Sequence, residues 1–177
     1  MCFEAGLEAG LEAGLEAGNI NRTMKKKIVR FLALDLGDRR TGLALGDSLT
    51  NIVSPIGTIN VIKGSELLEA LKKVIEENSP DEIVIGLPLN MDDSEGAASK
   101  AVREFALQIT QITNKPIHLH DERLTTFEAD SRMAQSGRTH AEKKALRDSL
   151  AAAAILEDFL RARAQLDLQT GDSPSES

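Results

Sequence analysis

The sequence predicts an α/β domain built on a mixed sheet with helices on both faces. Three observations carry this. Three strand-like stretches come first, between residues 28 and 62, with no helix among them, which is the order of a meander. Helical and strand patterns then alternate, the order that joins parallel strands by helical crossovers. In Phe31–Asp47, two apolar runs flank the polar turn Gly37-Asp38-Arg39-Arg40-Thr41-Gly42, which reads as a β-hairpin.

The first strand is expected at about 28–36. Phe31 to Leu34 form an unbroken apolar run, as in a strand covered on both faces. Asp35 interrupts the run near its end. A carboxylate there is costly unless it meets a cation, a metal or several donors. The alternative is that Asp35 caps the turn, a common use of Asp. The second strand follows at 41–47. Asn51–Ile62 is apolar and β-branched with Pro55 near its start, which suits a third strand at a sheet edge, because proline cannot donate to a ladder.

Leu67, Leu68, Leu71, Val74 and Ile75 then recur at helical spacing. Ser65 is the expected N-cap of that helix, and Asn78-Ser79-Pro80 its stop. Asp81–Gly86 reads as a short buried strand that enters the turn-rich loop Leu87–Gly96. A helix is expected from about 95 to 113, with Ala98, Val102, Phe105, Ala106 and Ile109 on one face. Ile117–His120 is the fifth strand and ends in Asp121-Glu122-Arg123. Thr125–Glu128 and Thr139–Glu142 are capping boxes, so two more helices are predicted. The last carries the stripe Leu146, Leu150, Ala153, Leu156 and Leu160 and is expected to end near Arg163.

The domain is thus expected over 27–163. Residues 1–26 read as a low-complexity, mobile tail, because the Glu-Ala-Gly-Leu repeat over 4–18 places a helix-weakening glycine at every fourth position. Residues 164–177, rich in Ser, Pro, Gly and Asp beyond Asp167, read as a disordered C-terminal tail.

Composition narrows the function. With no Trp, no Tyr and 3% aromatic residues, binding by base stacking on aromatic platforms is disfavoured. Cys2 is the single cysteine, so an internal disulfide and a thiolate metal cage are excluded. No apolar run approaches the roughly 20 residues that span a membrane, and the first residues lack a secretory pattern. The expectation is a cytoplasmic protein with no membrane partner. The net charge of −7 sits mostly in the ends: residues 24–166 carry 20 basic and 21 acidic side chains. A local basic face remains compatible with this balance, and local charge is what a phosphate backbone feels.

Asp35 closes the first strand, Asp121 and Glu122 follow the fifth, and Asp148 lies in the last helix beside Ala145, Ala151 and Ala152. Parallel strands open their sites at their carboxyl ends, so Asp35 and Glu122 can share one rim. A helix crossing that rim can add Asp148. Converging carboxylates without cysteine favour Mg²⁺ or Mn²⁺. Two such ions about 4 Å apart clamp the oxygens of a phosphodiester during hydrolysis. The alternative is that all three are surface or capping acids.

Four ordered segments make the chain more specific: Ala33-Leu-Asp35-Leu-Gly-Asp-Arg-Arg-Thr-Gly42, Ile85-Gly-Leu-Pro-Leu-Asn-Met91, Asp121-Glu-Arg-Leu-Thr-Thr126 and Asp148-Ser-Leu-Ala-Ala-Ala-Ala-Ile-Leu156. Together they resemble the YqgF-type family of Holliday-junction-resolvase-like proteins, also described as pre-16S rRNA nucleases. The likeness covers about 27–162. It implies a ribonuclease-H-like fold with strand order 3-2-1-4-5. It implies metal-binding, catalytic acids at Asp35, the Asp121–Glu122 pair and Asp148, and a cytoplasmic role in maturing the 5′ end of small-subunit rRNA. Two positions depart from the family pattern. Asp92-Asp93 stands where Met-Asp-Gly is usual, and Gly86-Leu-Pro stands where related junction resolvases carry an acid.

Arg39 and Arg40 at the hairpin tip and Arg123 beside Glu122 are candidate phosphate contacts, since guanidinium matches phosphate oxygens in pairs. A solvated tip, and for Arg123 a pairing with Asp121, are the alternatives. Lys143 and Lys144, in a basic run with Arg138 and Arg147, suit a nucleic-acid backbone. His118 and His120 fall on one side of a strand and read as core or rim residues rather than ligands. The leading expectation is a Mg²⁺- or Mn²⁺-dependent nuclease on structured RNA, with pre-rRNA or ribosomal precursor particles as partners, acting as monomer or homodimer. A four-way DNA junction is the second substrate, and a non-catalytic RNA- or ribosome-binding factor the third reading. An actin- or sugar-kinase-type ATPase would need a second domain and a second phosphate loop for which the chain has no room.

Overall fold

The structure is a computed structural model that describes residues 27–92, 94–121 and 140–170, with the side chains of 140–144 and of residue 170 excepted. The N-terminal repeat, the helix expected after Thr125, and residues 171–177 lie outside the described residues. Within them the order is β1 (Arg30–Leu36), β2 (Thr41–Asp47), β3 (Val53–Ile59), α1 (Ser65–Asn78), β4 (Glu82–Leu87), α2 (Ala97–Thr113), β5 (Ile117–Asp121) and α3 (His140–Thr170).

The five strands form one sheet in the order β3-β2-β1-β4-β5. The β1–β2 and β2–β3 pairs are antiparallel, as short connections require. The β1–β4 and β4–β5 pairs are parallel, with α1 and α2 in the connections leading to β4 and β5. This is the predicted ribonuclease-H-like arrangement. The Leu43/Ala44 register shift in β2 opposite Pro55 and Gly57 marks the irregular edge expected from that proline.

Strand alternation divides the core in two. Leu32, Leu34, Leu43, Ile83 and Ile85 face α1 and α2 and pack with Leu67, Leu71, Val102, Phe105 and Ile109. Phe31, Ala33, Ala44 and Val84 face α3 and pack with Ala152, Ala153, Ile155, Leu156 and Leu160. Each fully buried Leu or Ile contributes about 1.5–3 kcal/mol relative to exposure. The α3 face is poorer in bulk. Alanines meet alanines, and Gly46 of β2 leaves room for the Leu156 side chain, whose Cδ2 would lie 3.1 Å from a Cβ built there. The helix therefore lies close to the sheet, which positions whatever it carries.

Two predicted details are corrected. Ser65 is the first residue of α1 rather than its cap. Gly64 holds the N-cap position, and no side chain caps the helix. The last helix does not end near Arg163 but continues to Thr170, so residues 164–170, expected in the disordered tail, are helical. Gln165, Leu166, Leu168 and Gln169 are good helix formers, and no glycine or proline intervenes.

A charged and aromatic brace pins α3 across β4 and β5. Glu82 Oε2 lies 2.8 Å from both Arg163 Nη1 and His118 Nε2. His120 Nε2 lies 2.8 Å from Asp158 Oδ2. The Phe159 ring sits between Phe31, His118 and His120, with centroids 5.5, 5.1 and 5.7 Å away, and Arg163 lies over Phe31. The two histidines are thus rim residues engaged by acids, as their spacing suggested. Among the described residues, no helix is long and apolar enough to cross a membrane.

Candidate active site

Because β1, β4 and β5 are parallel, their carboxyl ends open on one rim. Asp35 stands there, one residue from the end of β1. Alternation sets it on the α3 side with Phe31 and Ala33. Its partner across the hairpin is Gly42. A Cβ built on Gly42 would lie 1.9 Å from the backbone oxygen of Asp148. Only glycine permits that approach, and the approach brings the α3 turn that carries Asp148 down beside Asp35.

Asp35 senses its neighbour. Burial first, then the neighbouring Asp148 carboxylate, push the Asp35 carboxyl up to about 6, while Lys63 draws it partly back. Lys63 lies in the loop before α1 and was not singled out by sequence. Nothing in its local pattern marks it, since the β3–α1 connection alone brings it to the rim. Asp148 has a cation of its own: Arg40 Nε lies 2.8 Å from Oδ2, in a pair only about one-fifth exposed on each side. The contact is close, but the N–H is not aimed along a hydrogen bond. That Oδ2 is buried and accepts no hydrogen bond among the described residues.

The other predicted residues are distributed as follows. Arg39 is exposed at the hairpin tip. Arg40 is turned onto Asp148 rather than outward. Lys143 and Lys144 belong to the start of α3, ahead of Asp148 on the same helix. Glu122 and Arg123 lie outside the described residues. Asp121, the last residue of β5, pairs with Leu87, and alternation from His118 and His120 sets it on the face opposite Asp35. Asp92 is engaged within its own loop. Its Oδ1 accepts from the Ser94 amide at 3.1 Å and from the Ser94 hydroxyl at 2.6 Å, which closes the turn after β4 and holds its carboxyl below the usual range. Gly86 of β4 pairs with His120 and brings no side chain to the sheet between β1 and β5.

Among the described residues, no group of three or more His, Cys, Asp or Glu is placed to hold a metal. The described part of the site is the pair Asp35 and Asp148, flanked by Arg40 and Lys63.

Comparison with known proteins gives a consistent picture. A family model described as RuvX, Holliday junction resolvase, matches residues 29–162. A protein of Anaeromyxobacter sp. (strain Fw109-5) named "Putative pre-16S rRNA nuclease" is 39% identical over 135 residues, covering 76% of this chain and 98% of that relative. One of the same name from Legionella pneumophila (strain Lens) is 39% identical over 131 residues, 74% of this chain and 94% of the relative. In fold, the Fowlpox virus resolvase, solved with substrate Holliday junction DNA, aligns with a TM-score of 0.50 at 10% identity, covering 76% of this chain and 98% of that one.

Proposed function

This chain belongs to the RuvX family, described as Holliday junction resolvase, and from that premise we propose that it is a metal-dependent endonuclease. It cuts phosphodiester bonds in structured RNA and processes the 5′ end of pre-16S rRNA in the cytoplasm, on ribosomal precursor particles. The relatives' names supply the substrate. The observation that carries the chemistry is the convergence of Asp35 and Asp148, two carboxylates from elements more than 100 residues apart, at the carboxyl rim of the sheet.

The donor set fits a hard divalent cation. Two carboxylates crowd each other, and a buried carboxylate oxygen has no hydrogen-bond partner. Mg²⁺ and Mn²⁺ take such oxygens and keep waters and phosphate oxygens as their remaining ligands. Asp35 and Asp148 would hold the ion, with Glu122 as the third acid expected from the sequence. Glu122 is preferred to Asp121 because alternation along β5 sets Asp121 on the face opposite Asp35. When bound, the ion would supply Lewis-acid polarisation of the phosphate and would make a nearby water more acidic.

The chain's own residues do the rest. Asp35 must be ionised to ligate, and a neighbouring cation favours that form over the protonated one. Arg39, Lys143 and Lys144 supply the positive edge that follows a phosphate backbone, with Lys63 closer in and Arg123 beside Glu122. The test is cleavage of a precursor rRNA fragment with Mn²⁺. Asp35→Asn should retain the fold by circular dichroism and lose cleavage. Unchanged cleavage by the variant contradicts the assignment.

The family's description favours a second substrate, the four-way DNA junction. Symmetric junction cleavage needs two active sites, so a strictly monomeric protein in sedimentation argues for the RNA substrate.

A further inference from the structure

We propose that Arg40 is a latch on the cation site: its guanidinium occupies the charge-neutralising place on Asp148 until a divalent ion takes it, and the released side chain then turns to substrate phosphate. The inference rests on the metal-dependent reading above and adds to it a coupling between ion loading and nucleic-acid engagement.

Three features of the contact point this way. Its location is fixed. Arg40 ends the turn that Gly37 closes, where the Gly37 amide donates to the Arg40 carbonyl at 3.0 Å, and a Cβ on Gly37 would meet that same oxygen at 2.8 Å. The turn thus presents the Arg40 side chain beside Gly42, where α3 comes down. Second, the contact is incomplete. Nε is 2.8 Å from Asp148 Oδ2, yet the oxygen accepts no hydrogen bond, so Arg40 supplies charge without the paired, directed bonds that make an arginine–carboxylate fork hard to break. A latch of this kind neutralises a half-buried carboxylate and is still displaced at modest cost. Third, the neighbouring Arg39 is exposed on the same tip, so an Arg40 released from Asp148 adds a second guanidinium to that tip.

The consequence is a competition. Ion and guanidinium share one carboxylate oxygen, so removing the guanidinium must tighten ion binding. By linkage, phosphate that draws Arg40 away must do the same. A merely structural arginine would behave in the opposite sense, since its loss would loosen the Asp148 turn and weaken the site.

The experiment is calorimetric titration of Mn²⁺ into the full chain and the variants Arg40→Gln, Arg39→Gln and Asp148→Asn, each checked by circular dichroism. Arg40→Gln should bind Mn²⁺ about 5-fold or more tightly than the parent chain, the effect of relieving one close cation. Arg39→Gln, with the same change of charge one residue away, should shift binding less than about 2-fold. Asp148→Asn should lose binding. A second titration adds a phosphorothioate RNA that resists cleavage. It should tighten Mn²⁺ binding to the parent chain by a larger factor than to Arg40→Gln, where only direct phosphate coordination to the ion remains. Equal or weaker Mn²⁺ binding by Arg40→Gln, with Asp148→Asn still defective, overturns the latch and leaves the nuclease reading standing. Unaltered binding by Asp148→Asn overturns both.

Discussion

Gly42 lies directly beneath the backbone of Asp148, so close that a methyl group at Gly42 would sit 1.9 Å from the Asp148 carbonyl oxygen. Gly42 is also the cross-strand partner of Asp35. One glycine therefore sets the distance between the two acids. Gly42→Ala must push α3 off the hairpin or distort β2. The expected result is a loss of about 2 kcal/mol or more in stability by urea denaturation, together with loss of Mn²⁺ binding. Normal stability and normal binding would mean that the helix does not rest there.

The Asp35 carboxyl, pushed up to about 6 by burial and by Asp148, makes its ionised form a burden on the fold. The folded pKa lies above the unfolded value of 3.8, so the folded state holds the proton more tightly. Asp35 thus contributes stability at acid pH that is lost as pH rises from about 4 through about 6. Asp35→Asn removes that loss. The variant should be more stable than the parent at pH 7 in chelator by about 1–3 kcal/mol, with the difference shrinking toward pH 4. Mn²⁺ should stabilise the parent and not the variant. Thermal melts across that pH range check this, and a variant less stable than the parent at pH 7 refutes it.

How much of this was legible in the sequence depends on the range of the interaction. The apolar run Phe31–Leu34 and the helical stripe of Leu67, Leu71 and Ile75 reflect burial of whole faces, so local pattern finds them. The sheet order and the grouping of Asp35 with Asp148 came from four ordered motifs whose likeness to one family was specific. Asp148 stood out among alanines, a signal of close helix packing. The other half of that contact, Gly42, looked like an ordinary turn glycine, because its role exists only once α3 crosses it. Arg40 read as a free phosphate contact for the same reason: its partner lies on a distant helix. Lys63 carried no signal at all. At the helix ends, Ser65 looked like a cap because Ser usually is one, yet the chain reaches α1 through Gly64 at φ 147 and uses that glycine instead. The late end of α3 was missed because the polar tail after Asp167 outweighed the helix-forming Gln and Leu within it.

The brace on the far part of α3 gives a prediction separable from the site. Burial pulls the Glu82 carboxyl upward, but hydrogen bonds from Arg163 and His118 outweigh it and hold the group below its ordinary value of 4.5. A depressed folded pKa means stability that is present above 4.5 and lost as pH falls through the folded value. Glu82→Gln should cost about 1–3 kcal/mol at pH 7, by leaving Arg163 short of a partner, and should flatten the acid limb of the stability profile. Cleavage per folded molecule should be unchanged, and a fall in that specific activity would tie the brace to the site.

Thr41 is fully buried on β2, and its hydroxyl has no hydrogen-bond partner among the described residues. It pairs with Leu36 and Ile59, both partly buried against the α1–α2 core. Replacing the hydroxyl by a methyl of the same shape removes an unsatisfied polar group. Thr41→Val should therefore stabilise the chain by about 1 kcal/mol in urea denaturation. Destabilisation would show that the hydroxyl has a partner in solution.

The central claim is that Asp35 and Asp148 serve one divalent ion. Calorimetric titration of Mn²⁺ into the parent chain, Asp35→Asn and Asp148→Asn tests it most directly. The account predicts measurable binding by the parent and a loss of at least about 10-fold in each variant, with both variants still folded. Binding by either variant with the affinity of the parent would contradict it.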